Sequence, residues 1–386
     1  MNHWSDWNPV AAESPWTLGV EEEVMLLDPA SWQLAWCTDE VLDSFDLDGQ
    51  ASPETHGCAL EIATRPQPNV AEAINEIATL RARLARGLEP HGLVAAVAGT
   101  HPLAVWEDVE ISPGARYQFL YSSMREIARR EPTFGLHVHV AVPDPEAAVR
   151  ALNGLRAHLP VILALSANSP FWQGRETGLA SIRVPLFGMF PRTGIPRHFD
   201  DYRDYVAAID RLLVTGAFPE PTFLWWDVRL QPKLGTLEVR IMDAQTRISD
   251  TAALTALVQC LVRLEAMEGW ADATVEAPEV VAENHFLAAR DGVRAQLLFP
   301  RKHGTRPMRE WVGEMLAACA PHAADLGCAA ELATVATLLE APGEARQRAL
   351  ASALPGEGDP EQLRELVRAL HLDFASSRAE PAALHA

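Results

Sequence analysis

The chain has 386 residues, 48% hydrophobic and 22% charged, and its 32 Lys and Arg stand against 52 Asp and Glu for a formal net charge of −20. This composition excludes a disordered, collagenous or disulfide-scaffold chain, and the length is enough to bury a substantial core. The acidic balance argues against a general nucleic-acid binder and an anionic-membrane binder, since both rely on Lys and Arg to displace counterions.

The charge is unevenly placed. Met1–Thr64 holds 13 Asp and Glu and no Lys or Arg. Such a stretch is either a solvated acidic face or a site built to hold cations. Within it, Met1–Glu13 lacks the basic and apolar regions of a secretion signal. Trp16–Leu27 is apolar and strand-like, ended by Asp28-Pro29, and Cys58–Thr64 is a second short strand stopped by Pro66. Val70–His91 carries Val70, Ala73, Ile74, Ile77, Leu80, Leu84 and Leu88 at spacings of three and four, which predicts a helix. Leu93–Thr100 reads as an apolar strand, and Thr133–Val142 as a strand closed by Pro143. Asp144 to about Leu165 is helical, with Pro145 in the first turn. Pro221–Ile241 reads as two strands joined through Pro232 and Gly235. Ser249 or Asp250 is placed to cap a helix running to about Glu268. Helical segments follow to about Ala375, and Ser376–Ala386 reads as a frayed tail.

The expected class is α+β: an antiparallel or mixed sheet from the first 245 residues with helices packed on it, and a helical C-terminal third. No linker-like stretch separates the parts. One domain over 1–386 is expected, with 14–248 bearing the sheet and 249–375 mainly helical. No apolar run approaches the roughly 18 residues of a membrane span. Cys37, Cys58, Cys260, Cys319 and Cys328 form no paired motif, so free thiols and a cytoplasmic location are expected. Neither a phosphate-binding G-x-x-x-x-G-K-[ST] loop nor a G-x-G-x-x-G turn is present.

Residues i and i+2 of a strand share a face. In Gly19–Leu27, Glu21 and Glu23 point one way and Glu22 the other. Two carboxylates about 7 Å apart repel and call for a compensating cation; the bland reading is a solvated edge strand. In Phe134–Val140, His137 and His139 share a face, either as satisfied histidines or as part of a metal site. In Gly235–Asp243, Glu238 and Arg240 share a face, and an intrastrand ion pair is the bland alternative. Glu61 lies in a fourth apolar strand, with Glu54 seven residues before it. Together these point to one sheet face lined with Glu, His and Arg. Oxygen-rich clusters of this kind suit Mg²⁺ or Mn²⁺ bridging to phosphate, with arginines facing a phosphorylated group.

At this point the sequence resembles a known family. Gly19-Val-Glu-Glu-Glu23, His101-Pro102, Phe134-Gly-Leu-His-Val-His139, Ser166-Ala-Asn-Ser-Pro-Phe-Trp172, Met189–Pro196, Trp226-Asp-Val-Arg229 and Gly235-Thr-Leu-Glu-Val-Arg240 occur together and in order. This set is similar to the type 2 glutamate–cysteine ligases, or YbdK-type carboxylate–amine ligases, from about Leu18 to Leu298. The resemblance implies a glutamine synthetase/guanido kinase-like fold, in which a curved antiparallel sheet forms a funnel with outer helices, plus a helical C-terminal lobe. It implies an ATP-dependent ligase using Mg²⁺ or Mn²⁺ and joining a small carboxylate, usually the γ-carboxyl of glutamate, to an amine such as that of cysteine. By motif position Glu21, Glu23, Glu54, Glu61, His137 and Glu238 would bind metal. Glu238 and Arg240 would serve the nucleotide, with Arg240 on the transferred phosphate. Arg183 is a further candidate for substrate or phosphate contact, while Asn284 and Arg290 lie in a family-like helix without a derivable role. Leu230-Gln231 and Ala244-Gln245-Thr246 depart from the family pattern and bear on substrate identity.

The implied reaction is attack of the carboxylate on the γ-phosphorus, followed by attack of the amine on the acyl phosphate. Gly188–Pro196 reads equally as a lid excluding water or an ordinary loop. Competing readings are a metal-dependent hydrolase on the same Glu/His face, a binding protein that keeps the fold, and a ligase for a non-cysteine amine. Small-molecule substrates are expected, with no nucleic-acid or membrane partner and room for a homodimer.

Overall fold

The computed structural model describes residues 3–130, 132–271, 277–300, 304–354 and 360–376. Seven strands build the main sheet: β1 (Leu18–Leu27), β2 (Ala51–Pro53), β3 (Ala59–Ala63), β4 (Val94–Ala96), β5 (Gly135–Ala141), β6 (Val228–Gln231) and β7 (Thr236–Asp243). Their order is β6-β7-β5-β1-β3-β2, with β4 also paired to β1, and every pairing is antiparallel. The expected sheet-and-helix class is therefore the observed one. β1 is central rather than an edge, so its three glutamates are not a solvated fringe.

One face of the sheet is apolar. Val20, Val24, Leu60, Ile62, Leu136, Val138, Val140, Leu237 and Val239 are buried there. Three helices cover it: α1 (Val70–Leu88), α2 (Pro145–Ser166) and α3 (Ile248–Glu268). Helix α1 packs on β1 and β3, α2 on β6 and β7, and α3 on β5 and on both other helices. The starts of α1 and α2 follow from their sequences. Asn69 accepts from the Glu72 amide at 2.9 Å, and Asp144 accepts from the Ala147 amide at 2.8 Å with Pro145 in the first turn.

Several boundaries differ from the sequence expectation. Helix α1 ends at Leu88, and a 3-10 turn, Glu89–His91, takes over because Pro90 lacks the donor to continue it. The strand expected over Leu93–Thr100 shortens to β4. Neither Ser249 nor Asp250 caps α3, which starts after Arg247 without a side-chain cap. Asp250 is instead paired with Arg346. The C-terminal part includes a hairpin, Gln296–Phe299 with Gly304–Pro307, inside a region expected to be helical. The expected tail beyond Ser376 lies outside the described residues. Among the described residues no helix is long and apolar enough to cross a membrane.

Glu22 is the exception on the apolar face. It is fully buried and pairs with Arg81 of α1, whose Nε donates to Glu22 Oε2 at 2.7 Å and whose Nη2 meets Glu22 Oε1. Arg81 also donates to the carbonyls of Thr246 at 3.0 Å and Gln245 at 2.8 Å. Both charges are thus satisfied, and α1 is tied to β1 and to the turn after β7. Removing one partner strands a buried charge, at a cost of about 3–5 kcal/mol, whereas apolar replacement of both is far milder. Arg81→Met is therefore expected to lower the unfolding free energy measured by denaturant titration by that much, and Glu22→Leu with Arg81→Met to recover most of it. Equal losses in the single and double variants would contradict the pairing.

Candidate active site

The opposite face of the sheet carries the polar residues, and strand register assembles them. Antiparallel partners directly across from one another share a face. Glu23 faces Glu61, Glu21 faces His137, His139 faces Glu238, and Glu238 faces Arg229. One row therefore crosses β3, β1, β5, β7 and β6. Glu54 follows β2 directly, and Arg240 comes in at a register shift between Val239 and Met242.

The distances make this a cluster. His137 Nδ1 is 3.2 Å from Glu21 Oε2 and 3.8 Å from Glu61 Oε2, and His137 Nε2 is 3.9 Å from Glu23 Oε1. His139 Nε2 is 3.1 Å from Glu21 Oε1 and 3.8 Å from Glu238 Oε2. Glu238 accepts from Arg229 at 2.7 and 3.1 Å, from Gln231 at 2.7 Å, and from Arg240. Arg229 also donates to the carbonyls of Leu224 at 2.6 Å and Thr222 at 3.0 Å, which fixes its plane.

Electrostatics divide the carboxylates into two groups. Burial alone would raise Glu238, but Arg229 and Arg240 outweigh it and hold it well below the usual range. Burial would likewise raise Glu21, but the His139 charge and hydrogen bonds from His137 and His139 leave it lowered. For Glu54, burial and then the Glu23 carboxylate outweigh the Thr55 amide and the Arg240 charge and push it up to about 8. Glu61 is driven well above its ordinary value by burial and by Glu21, Glu54 and Glu23. Burial and the Arg240 guanidinium hold His137 low, so its imidazole is neutral and its lone pair is available.

These residues fit a divalent cation. If His137 Nδ1–H donates to Glu21, Nε2 presents a bare lone pair toward Glu23, and Nε2 has no hydrogen-bond partner among the described residues. Two facing acceptors repel unless a cation lies between them. Two groups have ligand atoms mutually close enough to share an ion: Glu23, Glu61 and His137, and Glu21, His137 and Glu238. Carboxylates with one imidazole suit a hard, oxygen-preferring ion.

Two cavities meet at this row, and Glu21 lines both. The first, about 250 Å³, is lined by Glu21, Glu23, Glu54, Glu61, His137, Arg183 and Arg240, with Tyr117, Phe187, Phe190 and Trp225 among its other lining residues. The second, about 510 Å³, is mostly apolar and has Glu21 and His139 among its lining groups. Glu238 lines neither, since it is fully buried beneath the arginines.

Arg183 reaches the first cavity because of Gly135. A Cβ on Gly135 would lie 2.3 Å from Arg183 Nη2 and 2.9 Å from His137 Nε2, so the guanidinium occupies the space a side chain would need. The Gly135 amide also donates to Glu23. The base of Arg183 is held by a buried node. Asp243 accepts from Ser169 at 2.7 Å, from Ser181 at 2.9 Å and from the Asn168 amide at 2.8 Å, and Ser169 Oγ accepts from the Arg183 amide at 3.2 Å. The Ser166–Trp172 motif thus supports Arg183 rather than facing a ligand.

Of the other singled-out residues, Asn284 proves structural and Arg290 lines neither cavity. Asn284 exchanges two hydrogen bonds with the Leu298 backbone, at 3.1 and 2.6 Å, and Arg290 is paired with Asp291 at 2.7 Å. Within Gly188–Pro196, Thr193 and Gly194 pair in parallel with Trp225 and Trp226, and Phe190 lines the first cavity. Arg229 and Gln231 are site residues to which sequence reasoning gave no role, and His139, expected there only to share a face with His137, meets Glu21 and Glu238. The signal was available: a hairpin turning at Pro232–Gly235 places Arg229 opposite Glu238.

His101 is also structural. Its Nε2–H donates to the Trp32 carbonyl at 2.9 Å, and Nδ1 accepts from the amides of Leu103 at 3.2 Å and Ala104 at 3.0 Å. Burial pushes it down to about 4 from an ordinary value near 6.5. Below pH 6.5 the unfolded chain binds a proton that the fold refuses until about pH 4. Its stability contribution is therefore present above 6.5 and lost as pH falls to 4, by up to about 3 kcal/mol. Denaturant midpoints measured across that window should fall less steeply for His101→Asn than for the wild type; parallel slopes would contradict the assignment.

With this geometry in place, the chain can be set beside known proteins. The description of glutamate–cysteine ligase family 2 matches residues 17–369. A Rubrobacter xylanophilus protein bearing the name glutamate–cysteine ligase 2-3 is 41% identical over 343 residues, covering 88% of this chain and 93% of its own. A Roseiflexus castenholzii protein bearing the name glutamate–cysteine ligase 2 is 39% identical over 300 residues, covering 76% and 79%. Among solved structures, glutamate–cysteine ligase from Francisella tularensis in complex with AMP superposes with a TM-score of 0.67 at 13% identity, over 95% of this chain and 90% of that one. At that identity the likeness concerns the fold.

Proposed function

The chain belongs to glutamate–cysteine ligase family 2, and on that premise we propose that it is an ATP-dependent ligase that phosphorylates the γ-carboxyl of glutamate and joins it to the amine of cysteine. One observation carries the reading: register across five strands gathers Glu21, Glu23, Glu61, His137 and Glu238 on one face beside Arg240, between two cavities that share Glu21. The larger apolar cavity suits a purine base, with the triphosphate reaching toward Glu21. The smaller, more polar one suits amino-acid substrates.

In this reading Glu21, Glu23, Glu54, Glu61, His137 and Glu238 supply the cation-binding set, with Mg²⁺ or Mn²⁺ as the ion. A bound divalent cation would neutralise the β- and γ-phosphate oxygens. Arg240, held in place by Glu238, presents its guanidinium to the transferring phosphoryl group. Arg229 and Gln231 hold Glu238 from behind, so Arg240 keeps a fixed position during the reaction. Arg183, whose Nε has no hydrogen-bond partner among the described residues, faces the substrate cavity and would take negative charge on the carboxylate or on the tetrahedral intermediate. Attack of the carboxylate forms an acyl phosphate and ADP; attack of the amine then expels phosphate and leaves the amide. No side-chain nucleophile is needed.

A second reading concerns the amine alone. Tyr117, Phe187, Phe190 and Trp225 give the first cavity an aromatic wall that would also suit an amine bulkier than cysteine. An ADP-release assay with Mg²⁺ or Mn²⁺, glutamate and an amine panel tests both readings. ADP formed only with glutamate plus cysteine supports the main one, and preference for an aromatic amine supports the second. Substrate turnover without nucleotide would favour a hydrolase instead. Glu21→Gln and Glu61→Gln are expected to reduce ADP release at least 100-fold while the melting temperature stays close to wild type. Arg240→Lys should fail comparably, because a point charge does not replace a planar fork. Full turnover in any of the three would remove that residue from the mechanism.

A further inference from the structure

The second cavity is walled in part by residues that precede the family-matched region. Asn8, Val10, Ala11 and Ser14 line it, together with β1 residues and His139, whereas the family match begins at residue 17. This segment is anchored along its length. The Asn8 amide donates to the Pro232 carbonyl at 2.9 Å, and its side chain donates to the Lys233 carbonyl at 3.1 Å. Trp7 Nε1 donates to the Val142 carbonyl at 3.1 Å, and the Trp16 amide to the Ala141 carbonyl at 2.9 Å. Gly235, at φ +70°, makes room for the segment: a Cβ there would lie 2.6 Å from Ala11 Cβ and 3.0 Å from the Asn8 carbonyl. The strap is therefore locked to the turn of the hairpin that carries Glu238 and Arg240.

Resting on the ligase reading above, we infer that residues 8–14 form the wall against which the base of a purine nucleoside triphosphate lies, so that this segment sets nucleotide affinity. The argument is one of chemistry and place. The cavity offers apolar surface from the exposed Val10, Pro66, Pro68 and Leu234, and Glu21 of the catalytic row is among its lining residues. A planar base with a polyanionic tail matches an apolar chamber that leads to a cation-binding face. The Asn8 amide is committed on both sides, since its oxygen accepts from the Val10 amide at 3.1 Å. The wall therefore presents contact surface to the base, and affinity depends on its shape.

The test fills the chamber from its exposed rim. Val10 is 57% exposed and Ser14 is exposed, so Val10→Trp and Ser14→Trp add bulk without disturbing buried packing. Calorimetric titration of Mg·ADP into the full chain is expected to show affinity at least tenfold weaker in either variant, with melting temperatures near wild type. In turnover, the KM for ATP should rise while the KM for glutamate does not. Wild-type binding of Mg·ADP with unchanged affinity in both variants would overturn the inference and leave the ligase reading standing. No Mg·ADP binding by the wild type would remove both. Equal rises in the ATP and glutamate KM values would mean that the variants distort the catalytic row, and would also overturn it.

Discussion

Crowded negative charge on one face of a sheet is the constraint on which this structure depends. Glu21, Glu23, Glu54, Glu61 and Glu238 lie close together and largely out of water, where like charges repel strongly. The fold offsets only part of this. Arg229, Arg240, Gln231 and His139 satisfy Glu238 and Glu21, while Glu54 and Glu61 have their carboxyls pushed toward the protonated form. The imbalance at one end of the row is what suits it to a cation rather than to a set of internal ion pairs.

A row this costly needs a rigid support, and β1 provides it by acting on both of its faces. Glu21 and Glu23 face the site, while Glu22 between them points into the helical layer and holds Arg81. The same three-residue run thus supplies two site carboxylates and the ion pair that ties α1 to the sheet. Rigidity matters because electrostatic stabilisation acts only when the charged groups need not reorganise during the reaction.

Much of the remaining motif content is scaffolding for two arginines. Asp243, Ser169, Ser181 and Asn168 fix the start of Arg183, and the bare backbone of Gly135 lets its guanidinium cross β5 beside His137. Glu238 and Arg229 fix Arg240 in the same sense. The departure at Gln231 is absorbed into this support, since Gln231 donates to Glu238. Asp243 draws its partners from more than 60 residues away, whereas Glu238 is held by Arg229, Gln231 and Arg240 of its own hairpin, and the two networks together make the arrangement specific as well as stable.

By itself the sequence determined the α+β class, the long helices α1 and α2, and the alternation that sets Glu21 and Glu23 apart from Glu22. Those features arise from local periodicity and capping, which neighbouring residues dictate. It also carried a family resemblance that singled out Glu21, Glu23, Glu54, Glu61, His137, Glu238, Arg240 and Arg183, and the structure brings all eight to one face or one cavity. Only the tertiary structure decided which of them are satisfied internally and which face a void. That depends on register between strands more than 100 residues apart, such as Glu21 opposite His137. The role of Arg229, the need for Gly135, the structural fate of His101 and Asn284, and the second cavity behind residues 8–14 all belong to the same category. The acidic, Lys- and Arg-free opening of the chain looked like one feature in sequence; in space its glutamates split between the polar sheet face, a buried ion pair and solvent, and within β1 the split arises because successive strand residues point in opposite directions.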